Sequence, residues 1–341
     1  MQAEEFVEAY DSQVNSMQAF TRVFREEAES WVVEVMHGMV ANLQRAAQEA
    51  DASQLKAGKR GGKLGDCADQ LRKGFAVSLQ ASGNPDKKLA ALNIVNISIK
   101  IYFQLNTLRL CKNLIRTVES RQFLPFEQFP AAQRVTYKFY VGRLAVFDED
   151  YKEAQDALEY ALRRCHVSAA RNRARILKYL LPVRMLLGVL PSPALMHKYQ
   201  LEQYQPIAQA VRHGDLQLFD DTMELQQLRF IREGTYLLLE KLRLAVCRRL
   251  LRAVHAVHGR DEPAKAAQIP LAWFQAALAV QARRRKGDLG VEMDMDEIEC
   301  VCANLIYRKY IKGYISHKNK VMVVAKSDPF PPLSSVTLRD A

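Results

Sequence analysis

The side chains in this sequence that could do chemistry point to anion binding rather than catalysis. Lys56 to Lys63 is rich in glycine and lysine, a composition that binds phosphate in a P-loop. The spacing is wrong for a P-loop, no strand precedes it and no Ser or Thr follows the final lysine, so a mobile basic loop is predicted instead. The sequence has no nucleophile elbow, no HExxH motif and no acid pair whose spacing marks a catalytic centre. These features predict a protein without enzyme activity or cofactor.

Two pairs of side chains could ligate a metal ion. Cys300 and Cys302 would point about 200° apart on a helix, which prevents chelation of one ion, so buried thiols are expected. His255 and His258 share a helix face without a third ligand nearby, so a surface pair is expected. No metal site is predicted. The six cysteines, without a CxxC pair, favour a reducing compartment.

Positive charge is concentrated in two parts of the sequence. The chain has 49 Lys and Arg against 38 Asp and Glu, a net charge of +11. Residues 163–184 carry seven basic side chains and no acidic one, and residues 241–326 carry 17 basic and eight acidic ones. This distribution favours a polyanion or an acidic protein as partner. The alternative is that these side chains only solvate exposed helix faces.

Hydropathy argues against a membrane partner. With 49% hydrophobic residues the chain can bury a sizeable core. No uninterrupted apolar stretch reaches the ~18 residues that span a bilayer. The acidic N-terminus lacks a signal-peptide pattern, so secretion is not expected.

The elements that must position the charged side chains are predicted to be amphipathic helices. Three segments carry apolar or small residues at steps of three and four. These residues are Ile94, Ile97, Ile101, Leu105 and Leu108; Tyr137, Tyr140, Leu144 and Phe147; and Tyr151, Ala154, Leu158, Ala161 and Cys165. Short breaks follow at residues 148–150 and 214–215.

One helix pair matches the tetratricopeptide (TPR) repeat pattern. Gly142, Tyr151, Ala154 and Ala161 have the offsets at which such repeats place small and aromatic residues. A similar helix–turn–helix is predicted over residues 94–118, with Cys111 as the small residue. The copies diverge, so the prediction is an all-α, irregular TPR-like solenoid, a class that usually binds macromolecules.

After about residue 264 the pattern changes to that of a winged helix. A short helix over 271–281, a basic loop over 283–287 and a longer helix over 294–310 precede a β-hairpin at 311–316 and 321–325. The predicted domains are a solenoid over 1–263, a winged helix over 264–326 and a Pro-rich extended tail over 327–341.

Several longer strings resemble a known family. Residues 210–219, 303–307 and 311–316 resemble a PCI domain, with its helical part from about residue 130. The match narrows to the family of PCI domain-containing protein 2 through residues 133–143, 179–188, 312–317 and 328–333. The similarity runs from Phe6 to Leu338, although members of that family usually carry several more N-terminal helices.

This resemblance implies a subunit of the transcription-coupled mRNA export complex at the nuclear pore. It implies a nuclear location, with the cytoplasm as a second one. The partners that it implies are a large PCI scaffold subunit of the germinal-centre-associated nuclear protein family and a small, acidic, disordered subunit shared with the proteasome lid. It also implies sequence-nonspecific binding of RNA or single-stranded DNA by paired winged helices.

The winged helix carries the candidate nucleic-acid surface. Four carboxylates (Asp294, Asp296, Glu297 and Glu299) near the start of the second helix would repel phosphates, which argues against insertion of that helix into a groove. Basic side chains elsewhere could contact phosphates without reading bases. The predicted nucleic-acid-binding residues are Arg283, Arg284, Arg285, Lys286, Arg308, Lys309, Lys312, Lys318 and Lys320. The run 283–286 could instead be a nuclear-localisation signal.

A second basic surface is predicted on the solenoid. Its cations share a helix with apolar residues, a combination that could hold an acidic disordered chain by charge and apolar pockets. The predicted residues are Arg171, Arg173, Arg175, Lys178, Arg248, Arg249 and Arg252. The alternative is a solvated face.

The sequence therefore predicts a non-enzymatic scaffold. The hairpin edge would dock on the partner PCI subunit, the paired domains would present a basic surface to RNA, and the acidic subunit would clamp the solenoid. Two alternatives stay open. One is a PCI scaffold of the proteasome lid or signalosome without RNA affinity, and the other is a stand-alone single-strand binder.

Overall fold

Helices and a small sheet make up the regular structure of residues 2–80, 84–120, 123–286 and 293–336, the part of the chain that the computed structural model describes. The helical prediction is confirmed. The chain divides into two compact units, residues 1–144 with 163–165, and residues 145–162 with 166–341.

The first unit is a stack of helices packed on neighbours in sequence. Helix α2 contacts α1, α3 and α4, and α4 also contacts α5. In α1 the buried side chains Tyr10, Met17 and Phe24 recur every seven residues, which places them on one face. The helices of this unit are α1 Gln2–Glu26, α2 Trp31–Lys56, α3 Lys63–Leu79, α4 Ala90–Gln104, α5 Leu108–Val118 and α6 Ala131–Phe147, the last of which continues into the second unit.

The predicted Gly- and Lys-rich break lies between α2 and α3, where a carboxylate holds its end. The Asp51 carboxylate accepts hydrogen bonds from the backbone N–H groups of Gly62, Lys63 and Leu64, at 2.8, 2.8 and 3.0 Å. These donors are the first amides of α3, which have no partner within their own helix. Asp51 therefore caps α3 from α2.

The predicted helix–turn–helix over residues 94–118 is present as α4 and α5, with Cys111 fully buried. The single apolar stripe from Ile94 to Leu108 is wrong, because the chain turns between the two helices. Asn106 has a φ of +55°, a left-handed conformation that ends α4. Leu105 is exposed as a result. The spacing of three and four residues between apolar side chains continues across the turn only by coincidence.

The second unit begins with the TPR-like helix α7 Tyr151–Arg164, in which Tyr151, Ala154, Leu158 and Ala161 are buried as predicted. Shorter helices follow. They are α8 Ala170–Leu186, α9 Pro193–Lys198, α10 Gln205–His213, α11 Leu216–Leu225, α12 Gln227–Glu233, α13 Tyr236–Glu240 and α14 Leu242–Asp261.

A Gly-Asp turn joins α10 to α11, as the sequence predicts. Gly214 ends α10 with a φ of +73°, and Asp215 begins α11 by accepting a hydrogen bond from the Leu218 N–H at 2.8 Å. A Cβ atom at Gly214 would lie 2.6 Å from the backbone nitrogen of Leu250 in α14. Glycine is thus required both for the turn and for the close approach of α14.

The winged helix is confirmed, and it contains one strand more than predicted. β1 Gln268–Pro270 precedes α15 Leu271–Lys286 and α16 Met295–Tyr307, and β2 Gly313–Ser316 and β3 Val321–Val324 form the hairpin. The antiparallel sheet has the order β1-β3-β2. Three residues are too few for an alternating pattern, so β1 left no signal in the sequence.

Helix α15 runs through the segment for which a loop is predicted. Residues 283–286 form its last turn. The predicted loop over 283–287 is therefore wrong for residues 283–286. Alanine and arginine favour a helix, and these propensities extend the predicted helix beyond residue 281. Residues 287–292 lie outside the described part of the chain.

Gly214→Ala is expected to destabilise the protein. The substitution adds left-handed strain and a steric clash with α14, and together they should lower the free energy of unfolding by at least about 2 kcal/mol. Chemical denaturation measures this change. Gly38→Ala is the matched control, because Gly38 lies inside α2 with no atom within 4 Å of an added Cβ. That variant should gain about 0.5–1 kcal/mol.

Candidate nucleic-acid and partner-binding surfaces

The acidic start of α16 is held in place by neighbouring groups. Asp294 accepts a hydrogen bond from the Glu297 N–H at 2.7 Å and Glu297 accepts one from the Asp294 N–H at 3.1 Å, which is a capping box. The Glu299 carboxylate lies 2.9 Å from Lys320 Nζ and 2.7 Å from His317 Nδ1. Hydrogen bonds from Lys320 and His317 hold the pKa of Glu299 below its ordinary value. This turn presents carboxylates, not phosphate-binding groups.

Several of the predicted nucleic-acid-binding side chains already contact polar groups of the protein. Lys320 contacts Asp296 and Glu299 at 3.3 and 2.9 Å, and Lys312 contacts Asp328 at 2.9 Å. Arg308 donates to the Asn304 side chain at 3.1 Å. Lys309 and Lys318 are exposed.

The remaining residues predicted for this surface are Arg283, Arg284, Arg285 and Lys286. Their side chains lie outside the described residues, although their backbone closes α15. The three tyrosines of the winged helix differ in burial: Tyr307 and Tyr314 are exposed, whereas Tyr310 is buried.

On α8 the predicted basic surface separates into inward and outward cations. Arg173 donates to Tyr199 Oη at 2.8 Å and to the Leu162 carbonyl at 3.0 Å. Lys178 forms an ion pair with Glu233 at 2.6 Å. Arg171 and Arg175, one helical turn apart, are exposed. The outward charge of this helix is therefore that of Arg171 and Arg175.

The prediction that Arg248 belongs to the exposed basic surface is wrong. Its side chain is only 6% exposed, and its guanidinium donates to the Tyr310 carbonyl at 3.1 Å and the Phe330 carbonyl at 3.0 Å, and also to the Pro331 carbonyl. Burial lowers the pKa of Arg248 from its ordinary value. The other two predicted cations on α14 are exposed: Arg249, which donates to the Arg212 carbonyl at 2.9 Å, and Arg252.

An apolar groove that the sequence did not indicate lies in the second unit. It has a volume of 610 Å³ between the α6–α7 turn and helices α12 and α13. Phe147 is 53% exposed there and Leu237 69% exposed, and Ile231 lies beside them. The Glu149–Lys241 ion pair, at 2.9 Å, lies at its rim. Exposed apolar side chains gathered in a groove mark a surface that binds another molecule.

The apparent stripe that predicted a buried Phe147 contains the only sequence signal for this groove. The spacing of Tyr137, Tyr140, Leu144 and Phe147 is regular, yet α6 ends at Phe147. Phe147, the last residue of the helix, is exposed, whereas Tyr137 and Leu144 are buried.

The residues considered for metal binding differ in burial from the prediction. Cys302 is buried, and burial raises its pKa to about 12, but Cys300 is exposed, so the prediction of two buried thiols is half wrong. His258 is buried rather than on the surface, and its Nε2 donates to the carbonyl of Gln268 in β1 at 2.9 Å. Among the described residues, no group of three potential metal ligands comes together. No described helix is both long and apolar enough to cross a bilayer.

This helical stack with its winged helix defines the class of PCI-domain proteins. Residues 208–326 match the family model of the PCI domain. Residues 64–206 match the model described as PSMD3-like, N-terminal TPR repeats. The TPR-like interpretation of the helix pairs is thereby confirmed.

The chain belongs to the PCI domain-containing protein 2 family, as the sequence strings predict. It is 40% identical over 340 residues to PCI domain-containing protein 2 of Xenopus laevis, covering 97% of this chain and 81% of that protein. The Danio rerio protein of the same name is 39% identical over 341 residues, 98% of this chain and 81% of the relative. The enhanced ethylene response protein 5 of Arabidopsis thaliana is 38% identical over 328 residues, 96% and 77% of the two chains.

Arg248→Met is expected to lower the free energy of unfolding by about 2–4 kcal/mol, because three backbone carbonyls lose a charged donor. Urea denaturation measures the loss. Arg252→Met, an exposed arginine one turn along α14, should change stability by about 0.5 kcal/mol or less. Equal stability of the two variants would show that Arg248 has no structural role.

Proposed function

We propose that this protein is a non-enzymatic scaffold subunit of a transcription-coupled mRNA export complex in the nucleus, at the nuclear pore. The observation that carries the proposal is the surface of the second unit, where an open apolar groove and exposed arginines accompany a winged helix. A scaffold needs accessible surfaces for several partners at once, and solenoids with terminal winged helices supply them. Membership of the PCI domain-containing protein 2 family supports the same role.

The small acidic subunit is proposed to bind along α8 and the apolar groove. Helix α8 contacts α13, and Tyr179 of α8 donates to the Glu233 carbonyl at 3.0 Å, so the two surfaces are linked within the second unit. A disordered chain gains affinity by inserting apolar side chains into a groove while its acids meet exposed cations. Arg171 and Arg175 supply those cations, and Phe147 and Leu237 supply the apolar contacts.

The double variant Arg171→Glu/Arg175→Glu is expected to weaken binding of the acidic subunit by about tenfold or more at low salt, with less effect at high salt. Fluorescence anisotropy with the labelled subunit measures the affinity. Arg173 is left unchanged, because its bonds to Tyr199 and Leu162 are structural. The control is Arg109→Glu/Arg116→Glu on α5, which reverses the same charge on exposed side chains of the other unit. Equal affinity of the two variants would contradict the proposed surface.

The winged helix is proposed to contact RNA or single-stranded DNA through phosphates. The capped, acidic start of α16 disfavours base reading by that helix. The proposal includes Arg283 to Lys286, whose backbone forms the last turn of α15, and the other proposed cations lie at the end of α16 and on the wing. Lys309 and Lys318 are exposed there, and Tyr307 and Tyr314 offer rings on which unpaired bases can stack. Docking of strand β2 on a large PCI scaffold subunit would place a second basic surface beside this one.

Replacing Arg283, Arg284, Arg285 and Lys286 with Glu is expected to weaken RNA binding while partner assembly persists. Each phosphate contact on a single strand contributes a slope of about −0.7 in log affinity against log salt, so the slope should flatten by up to about 3. Filter binding to a single-stranded RNA over a salt series measures it.

The control for this variant replaces Arg45, Lys56, Lys59 and Arg60 with Glu, the same charge change in the first unit. Unchanged affinity of the 283–286 variant at low salt would reject the site.

Mass spectrometry of co-purified proteins separates the proposed complex from the two alternatives. Subunits of the proteasome lid or signalosome, without RNA affinity, would favour the first. Tight, salt-sensitive RNA binding by the isolated chain without partners would favour the second.

A further inference from the structure

A second pocket, in the first unit, has an unusual polar lining. It has a volume of 360 Å³ between α2, α4 and the first three turns of α6. Gln44 comes from α2, Asn96 and Lys100 from α4, and Gln133 from α6. None of its lining residues belongs to the surfaces proposed above.

Two amide side chains in this pocket are buried and only half satisfied. Gln44 is 6% exposed and Asn96 4% exposed. Within the described part of the chain, Gln44 Nε2 and Asn96 Oδ1 have no hydrogen-bond partner. A buried polar atom without a partner is costly and rare in folded proteins. Both residues line the same pocket, so two unpartnered polar atoms there point to a bound group that pairs with them.

The structure also determines which atom each amide offers. Asn96 Nδ2 donates to the Gln133 carbonyl at 2.9 Å, so the end left over is the acceptor Oδ1. Gln44 Oε1 accepts from Lys100 Nζ at 3.3 Å, so the end left over is the donor Nε2. Gln44 and Asn96 therefore offer one donor and one acceptor, and Gln133 Oε1 is a second buried acceptor without a described partner.

One donor and one acceptor are the complement of a peptide group, which carries one C=O and one N–H. We propose that this pocket binds an extended peptide segment through its main chain. A carbonyl of the segment would accept from Gln44, and an N–H would donate to Asn96. Ile97 and Tyr140 line the same pocket and would contact the peptide's Cα and Cβ atoms. The volume is at the small end for ligand sites, which suits a short segment without large side chains.

The probe that tests this site is N-acetyl-tetraalanine N-methylamide, which presents main-chain groups and little else. Titration of the isotope-labelled full chain should shift the side-chain amide NMR signals of Gln44 and Asn96, with a Kd of about 1–10 mM. The same peptide with its amide nitrogens methylated lacks the N–H donors and should lose the effect. No shift with either peptide, as expected of a pocket that holds only water, would overturn the proposal.

Two variants of Gln44 separate binding from folding. Gln44→Met keeps the side-chain length and removes the donor, so binding should fall at least tenfold while Tm rises by about 1–3 °C. Gln44→Glu keeps an acceptor for Lys100 and replaces the donor with a second acceptor, and it should lose binding equally.

The matched control is Gln48→Met, one turn further along α2. Gln48 donates to the Gln104 side chain at 3.1 Å and is not part of the pocket lining, so its loss should leave binding unchanged. Equal binding by wild type and both Gln44 variants would also overturn the proposal.

Discussion

The second unit depends on one buried cation. Arg248 lies on the helix that packs against α10, α11 and α15, and its guanidinium binds the carbonyls of Tyr310, Phe330 and Pro331. A buried arginine is tolerated only when its donors are matched, so the end of α16 and the Pro-rich segment must both come to it. The Lys312 N–H then donates to the Pro329 carbonyl at 2.9 Å, which places that segment beside the start of β2. The Arg248 side chain thus connects helix α14, the winged helix and the segment that follows the winged helix.

The requirement that a buried charge has a partner also determines which other cations face inward. Some of the 49 Lys and Arg side chains are used within the fold, as the ion pairs of Lys178 with Glu233 and of Arg184 with Glu159 illustrate. Each of these partners is mostly buried, where an ion pair is screened less than on the surface. The cations available to a partner are fewer than the composition indicates. Among the residues predicted to bind partners, the exposed cations lie on α8 and α14, after the end of α16 and on the wing.

The apolar groove and the polar pocket would bind a partner through different interactions. The groove beside Phe147 and Leu237 is apolar, and its affinity would come from removing hydrocarbon from water. The pocket at Gln44 and Asn96 is polar, and its selectivity would come from the cost of leaving buried amides unpaired. A scaffold that carries both can bind one segment by its side chains and another by its main chain.

The sequence by itself determined the helical class, the turns at residues 148–150 and 214–215, the hairpin and the family. These features depend on local periodicity, on glycine conformation and on contiguous stretches of sequence. All three are set by residues that are close together in the chain. The sequence could not show that Arg248 and His258 are buried, where between residues 94 and 118 the predicted turn lies, or that Phe147 is exposed in a groove. Those outcomes depend on which distant element covers a side chain, and periodicity identifies a face without saying what packs on it. Tertiary structure alone decided which charges face inward and which polar atoms were left without a partner.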